Sequence, residues 1–137
     1  IEPSIKRIHE IINAQIKQGM DPERIFLVGF SQGGSVALAT TLCIDLTVAG
    51  VAGLSTFFPE PTAREIQLSD ANKKTPIFIA HGEHDQVLSL NMGYETWEML
   101  KKHNYNASWH KYDMGHEITI PEVQDLRMWI MQTLNAN

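Results

Sequence analysis

Gly29-Phe30-Ser31-Gln32-Gly33 sets a serine between two glycines, a spacing suited to nucleophilic chemistry. A hydroxyl is a weak nucleophile; it needs a base beside it, and the base needs an acid to orient it. Both types occur downstream. The run His81-Gly82-Glu83-His84-Asp85 offers two carboxylates, Glu83 and Asp85, and spacing alone leaves both open. Among the later histidines, His103 falls where a helix should end and can serve as a dipole partner there. His110 falls inside a strand-like run, whereas His116 lies four residues past that run, in a turn beside Gly115, and is the best-placed base. The simpler reading of Ser31 is a helix N-cap in a glycine-rich turn. His81 and His84 also raise a metal site, but no helix puts them on one face and no second ligand pair has metal spacing. No metal or other cofactor is therefore expected.

The flanking elements favour chemistry over capping. Arg24 to Phe30 is a largely apolar run without alternation, as in a strand buried on both faces, and the residues from Val36 to Cys43 read as a helix. A serine on such a strand-to-helix turn is forced into a strained backbone that lifts its hydroxyl clear of the sheet, at the positive end of a helix. The neighbours two positions away are then expected to be glycine so that the chains can pass. Before this turn, Ile5, Ile8, Ile12 and Ile16 form one stripe of an amphipathic helix from Glu2 to Gly19. After it come strands at Val48–Leu54, Pro76–His81 and Ala107–Tyr112, and helices at Leu90–His103 and Pro121–Leu134. Pro59–Asn72 reads as loop with a short helix. This alternation predicts an α/β fold in which parallel strands are joined by right-handed crossovers, as one domain over residues 1–137. Ser31, the acidic loop and His116 all follow the carboxyl ends of strands, and in an open parallel sheet those ends share the edge where sites form.

The bulk properties narrow the function. With 11 basic and 16 acidic residues the net charge is −5, and the only basic clusters are the pairs Lys73-Lys74 and Lys101-Lys102. A nucleic-acid partner would need a basic face, so none is expected. Cys43 is the single cysteine, which excludes an intrachain disulfide and suits a reducing compartment. No apolar run reaches the roughly 18 residues of a membrane span. A cytoplasmic setting is the default expectation. The chain begins with Ile1, not Met, which leaves targeting open.

Gly29-Phe-Ser-Gln-Gly-Gly34, Asp21-Pro-Glu-Arg-Ile25, Gly50-Val-Ala-Gly-Leu-Ser55, His81-Gly-Glu-His-Asp85 and Gly115-His116 together resemble the phospholipase/carboxylesterase family, which includes acyl-protein thioesterases. The resemblance covers essentially the whole chain. It implies an α/β-hydrolase fold, a mostly parallel sheet with helices on both faces, and cleavage of carboxylic esters or thioesters through an acyl-enzyme. It assigns Ser31 as nucleophile, Asp85 as acid and His116 as base, with the Gln32 backbone N–H as an oxyanion donor. Two features depart from the family pattern. The prolines that commonly follow the aspartate are missing from Asp85-Gln-Val-Leu-Ser89, which predicts a less rigid acid loop. The family's opening strands, and its His-Gly-rich loop with a second oxyanion donor, have no counterpart here. An unpaired apolar edge on the Ile25–Phe30 strand, and self-association through it, are expected consequences.

For the substrate, Phe57 and Phe58 follow the second strand and are candidates to wall an apolar acyl groove, with Val87 and Leu88 opposite; core packing is the competing reading. Simple esters, lysophospholipids and acylated proteins all remain open as substrates. The rival is a non-catalytic homologue, or a fragment active only with its missing N-terminal segment. Retention of Ser31, Asp85 and His116 argues against degeneration. A second enzymatic rival is a dienelactone-hydrolase-like or peptidase branch of the same fold; cysteine at position 31 would favour the former, and the residue is serine.

Overall fold

The isoleucine stripe forms helix α1 (Glu2–Lys17), with Ile12 buried and Ile5, Ile8 and Ile16 packed partly against the core. A computed structural model describes residues 2–136. After α1, Asp21 caps a single 3-10 turn, Pro22–Arg24, by accepting the Glu23 N–H at 2.9 Å. This turn takes up the first residues of the expected strand, so β1 begins later and spans Phe26–Phe30. Strand β1 runs directly into α2 (Gln32–Cys43), which starts four residues earlier than composition suggested. Then come β2 (Gly50–Leu54), the short α3 (Glu60–Arg64), β3 (Ile77–Gly82), α4 (Leu90–Lys102), β4 (Ala107–Tyr112) and α5 (Ile120–Asn135).

The four strands are all parallel and lie in the order β1-β2-β3-β4. Their register aligns Leu27 with Val51, Val51 with Ile77, and Ile77 with Ala107. Alternation along each strand sends these residues to one face, where Ile12, Leu38, Leu42, Phe58 and Leu100 complete the larger core. Ala52, Leu54, Phe78 and Ala80 point to the other face, beneath Leu126 and Trp129 of α5. Helices therefore cover both faces, and the central strands are buried throughout. β1 is an edge strand with Val28 exposed at 48%. No helix among the described residues is long and apolar enough to cross a membrane.

The connection from α3 to β3 is organised by Asn72, which is buried. Its amide donates to Thr41 O and Leu46 O, both at 2.9 Å, and its Oδ1 accepts from Val48 N and Thr75 Oγ1. Losing this amide would leave buried backbone groups unpaired.

Glu122, in the first turn of α5, is fully buried and neither carboxylate oxygen completes a hydrogen bond. Burial pushes its pKa up to about 7, with the Thr119 backbone N–H pulling the other way. The folded state thus holds a proton that the unfolded chain has released, so stability falls as pH rises from about 4.5 through 7. The loss should be on the order of 3 kcal/mol. Glu122→Gln should remove that slope: thermal melts at pH 8 should favour the variant by several degrees, and melts near pH 4 should not separate the two.

Candidate active site

The serine arm begins with a steric constraint. β1 turns into α2 at one residue, Ser31, whose backbone is at φ 56° and ψ −123°. A non-glycine residue there carries strain of about 1–3 kcal/mol. The turn closes because Gly29 has no side chain: a Cβ at that position would overlap the backbone of Gly33 and Gly34. A Cβ on Gly34 would lie 2.8 Å from Thr56 Cβ and 3.0 Å from Gly29 O. Gly33 differs from expectation, for a Cβ there would meet nothing within 4 Å. The close pair is therefore Gly29 and Gly34, because α2 folds back over β1 one residue later than the motif's second glycine. Ser31 N donates to Leu54 O at 2.8 Å, fixing the turn to β2.

Asp85 and His116 lie in the loops that leave β3 and β4. Asp85 is buried after β3, and its Oδ1 accepts the backbone N–H groups of Val87 (2.9 Å) and Leu88 (2.8 Å). Its Oδ2 lies 2.8 Å from His116 Nδ1, and His116 Nε2 lies 3.1 Å from Ser31 Oγ. Burial pushes the Asp85 carboxyl up, but the hydrogen bonds from His116, Leu88 and Val87 outweigh it and hold the group below the usual carboxylate range. Asp85 is then ionised and can only accept, so the His116 proton sits on Nδ1 and Nε2 is free to accept from the serine hydroxyl. The His116 ring leans on Phe30, with centroids 4.9 Å apart.

The other titratable candidates are held elsewhere. Glu83 is exposed. His84 Nε2 pairs with Asp113 at 2.7 Å on the surface. His103 Nε2 bonds Glu60 Oε1 at 2.9 Å, linking the end of α4 to α3. His110 stacks on Phe78 at 4.0 Å and contacts Ser108 Oγ, and burial lowers its pKa. His81 turns inward, away from His84, with Nε2 2.7 Å from Leu88 O. Among the described residues no three His, Cys, Asp or Glu side chains group as a metal site.

The chain matches the family described as Phospholipase/Carboxylesterase over residues 1–134. It belongs to that family. Acyl-protein thioesterase 1 of Gibberella zeae is 34% identical over 137 residues, an alignment covering 98% of this chain and 58% of that protein. Carboxylesterase SOBER1 of Arabidopsis thaliana is 32% identical over 135 residues, covering 98% of this chain and 59% of the relative. The crystal structure of Arabidopsis SOBER1 superposes with a TM-score of 0.89 at 33% identity, over 95% of this chain and 62% of that one. The fold is that of the α/β-hydrolase esterases, and the chain spans under two thirds of the length of these relatives.

The Gln32 N–H opens α2, where a helix leaves its first amides without intrahelical acceptors. An open cleft of about 510 Å³ adjoins it, bordered by Ser4, Gln32, Gly33, Ser35, Val36, Phe57, Phe58 and Thr62. The two phenylalanines part company. Phe57 is partly exposed at the cleft, whereas the Phe58 side chain is fully buried in the larger core, its N–H donated to Thr96 Oγ1 at 2.8 Å. Phe58 is therefore core-packed, as its position facing α4 requires. Val87 is 67% exposed, and Val87 and Leu88 meet the site through their backbone, as donors to Asp85. Ser35 passes unnoticed in the sequence: its hydroxyl donates to Phe57 O and accepts from Thr56 Oγ1, both at 2.9 Å, tying the cleft wall to α2. A second serine one helical turn after Ser31 is the signal that points to it.

The asymmetry between the two motif glycines is measurable. Gly29→Ala should lower Tm by more than 10 °C or prevent folding, whereas Gly33→Ala should melt within a few degrees of the parent. Circular dichroism melts of both variants make the comparison.

Proposed function

We propose that the chain acts as a serine hydrolase on carboxylic esters or thioesters, with Ser31 as nucleophile, His116 as general base and acid, and Asp85 as the orienting carboxylate. The observation that carries this reading is the continuous path from Ser31 Oγ through His116 to Asp85 Oδ2, in bonds of 3.1 and 2.8 Å. Ser31 Oγ attacks the acyl carbonyl while His116 Nε2 takes the hydroxyl proton. The Gln32 N–H meets the oxyanion as it forms. His116 then returns the proton to the departing alcohol or thiol, leaving an acyl-serine. Water attacks that ester with the same histidine as base and releases the acid. The positive end of α2 favours the negative charge at each tetrahedral stage. Phe57 and the cleft beside Gln32 suit an apolar acyl chain, and the relatives' names fit a small-molecule or acylated-protein substrate.

Incubation with a fluorophosphonate probe, read by intact mass, should give one adduct that Ser31→Ala loses. Hydrolysis of a p-nitrophenyl ester should fall about 10⁴-fold in Asp85→Asn, because the imidazole then settles in the wrong tautomer. A folded parent chain that takes no adduct would overturn the reading for this chain alone. One observation favours such a second reading: the chain spans 58% and 59% of these relatives. Catalysis would then need a further oxyanion donor from outside these residues, and losing one such donor costs about 10²–10³ in turnover. Adding the corresponding segment of a relative in trans should then restore labelling.

Among the described residues no strand pairs with the outer edge of β1, beside the exposed Val28. Self-association through that edge is part of the proposal. Light scattering should show the mass rising with protein concentration, and Val28→Lys should suppress the rise.

A further inference from the structure

His81 is a fully buried histidine outside the serine–histidine–aspartate path, and its surroundings are unusual. It is the fifth residue of β3, on the face covered by α4. Its Nε2 lies 2.7 Å from Leu88 O, and the same atom is 3.3 Å from Asp85 Oδ2. Its Nδ1 is buried with no partner. A carbonyl oxygen can only accept, so Nε2 carries a proton and donates it to Leu88 O. Helix α4 enforces this placement. A Cβ on Gly93 would overlap Nδ1 of the ring, so glycine is what allows α4 to press on the imidazole.

Leu88 is the link to the site. Its N–H donates to Asp85 Oδ1 at 2.8 Å while its C=O accepts from His81. The acid loop is therefore closed on itself at both ends of one residue. The sequence lacks the prolines that would stiffen this loop, and the His81–Leu88 bond supplies the missing constraint. Gly82 completes the arrangement: a Cβ there would overlap the carbonyls of Met114 and Gly115, in the loop that carries His116. Adjacent residues thus serve the two arms separately, His81 holding the acid loop and Gly82 admitting the base loop.

We propose that His81 is a positioning residue for Asp85, acting as an N–H donor that clamps the Leu88 carbonyl and thereby sets the carboxylate for His116. The inference rests on the serine-hydrolase reading for its consequence in turnover, but the clamp itself is a property of the resting protein.

The test pairs resting-state spectroscopy with kinetics. In the unaltered chain, ¹⁵N-labelled His81 should carry a proton on Nε2 that is hydrogen-bonded to the Leu88 carbonyl; a bare Nε2 would overturn the proposal. His81→Leu removes the donor, and His81→Gln returns an N–H at nearly the same reach. The Leu variant should raise amide exchange of Leu88 at least tenfold and lose the low-field Nδ1–H resonance of His116, with the amides of β2 and β3 still protected. The Gln variant should keep both signals. Ester turnover per titrated active site should fall about 10²-fold in the Leu variant at unchanged KM, as expected for misplaced catalytic groups, and recover in the Gln variant. Unchanged signals in His81→Leu, or equal loss in both variants, would overturn the clamp. A parent chain that hydrolyses no ester while these signals respond as described would sink the hydrolase reading and leave the clamp standing.

Discussion

Everything at the site follows from the tightness of one turn. β1 passes into α2 through a single strained residue, and the two segments run so close that Gly29 and Gly34 have no space for a side chain. This fixes Ser31 above the carboxyl end of the sheet, with its N–H on Leu54 O of the neighbouring strand. Once Ser31 is fixed, the loops after β3 and β4 have only one place to meet it. Parallel pairing supplies that meeting point, because all four strands release their loops at the same edge.

The three arms are held by different physics. Ser31 is placed by sterics and by the strain the turn stores. Asp85 is placed by hydrogen bonds, two from Val87 and Leu88 to one oxygen and one from His116 to the other. His116 is placed mostly by the other two, with Phe30 against its ring. The loops that carry Asp85 and His116 are also laced together directly: Glu83 N donates to Tyr112 O at 2.8 Å, His84 N donates to Met114 O at 3.0 Å, and His84 pairs with Asp113. A change in either loop should therefore be felt by both.

Much of this was legible in the residues. The apolar runs gave four parallel strands in the observed places, and the isoleucine stripe gave α1, because burial on one or both faces leaves a periodic trace. Boundaries were less legible where a local cap competed. Asp21 and Pro22 turn the chain before β1, and no hydrophobic pattern registers a capping carboxylate. The contacts made by Asn72, Ser35 and His81 were not legible at all, since each depends on which backbone carbonyl a helix or loop brings near. The separation of Phe57 from Phe58 belongs to the same class: adjacent residues point to opposite sides, and only the packing of α4 decides which one is core.

The two histidines around the end of β3 take different roles: His81 turns inward to a carbonyl and His84 outward to Asp113. A carboxylate that must orient a base needs its own lone pairs committed in the right directions, and backbone N–H groups do that only if their loop is held. Proline can stiffen such a loop by limiting the unfolded and native backbone alike. Here the same end is reached by a buried donor on the strand that leads into the loop, which costs an unpaired Nδ1 and a glycine in α4 to admit the ring. An unsatisfied buried nitrogen is worth on the order of 1–3 kcal/mol of stability. A fold keeps such a cost where geometry matters more than stability, and the loop that sets Asp85 is such a place.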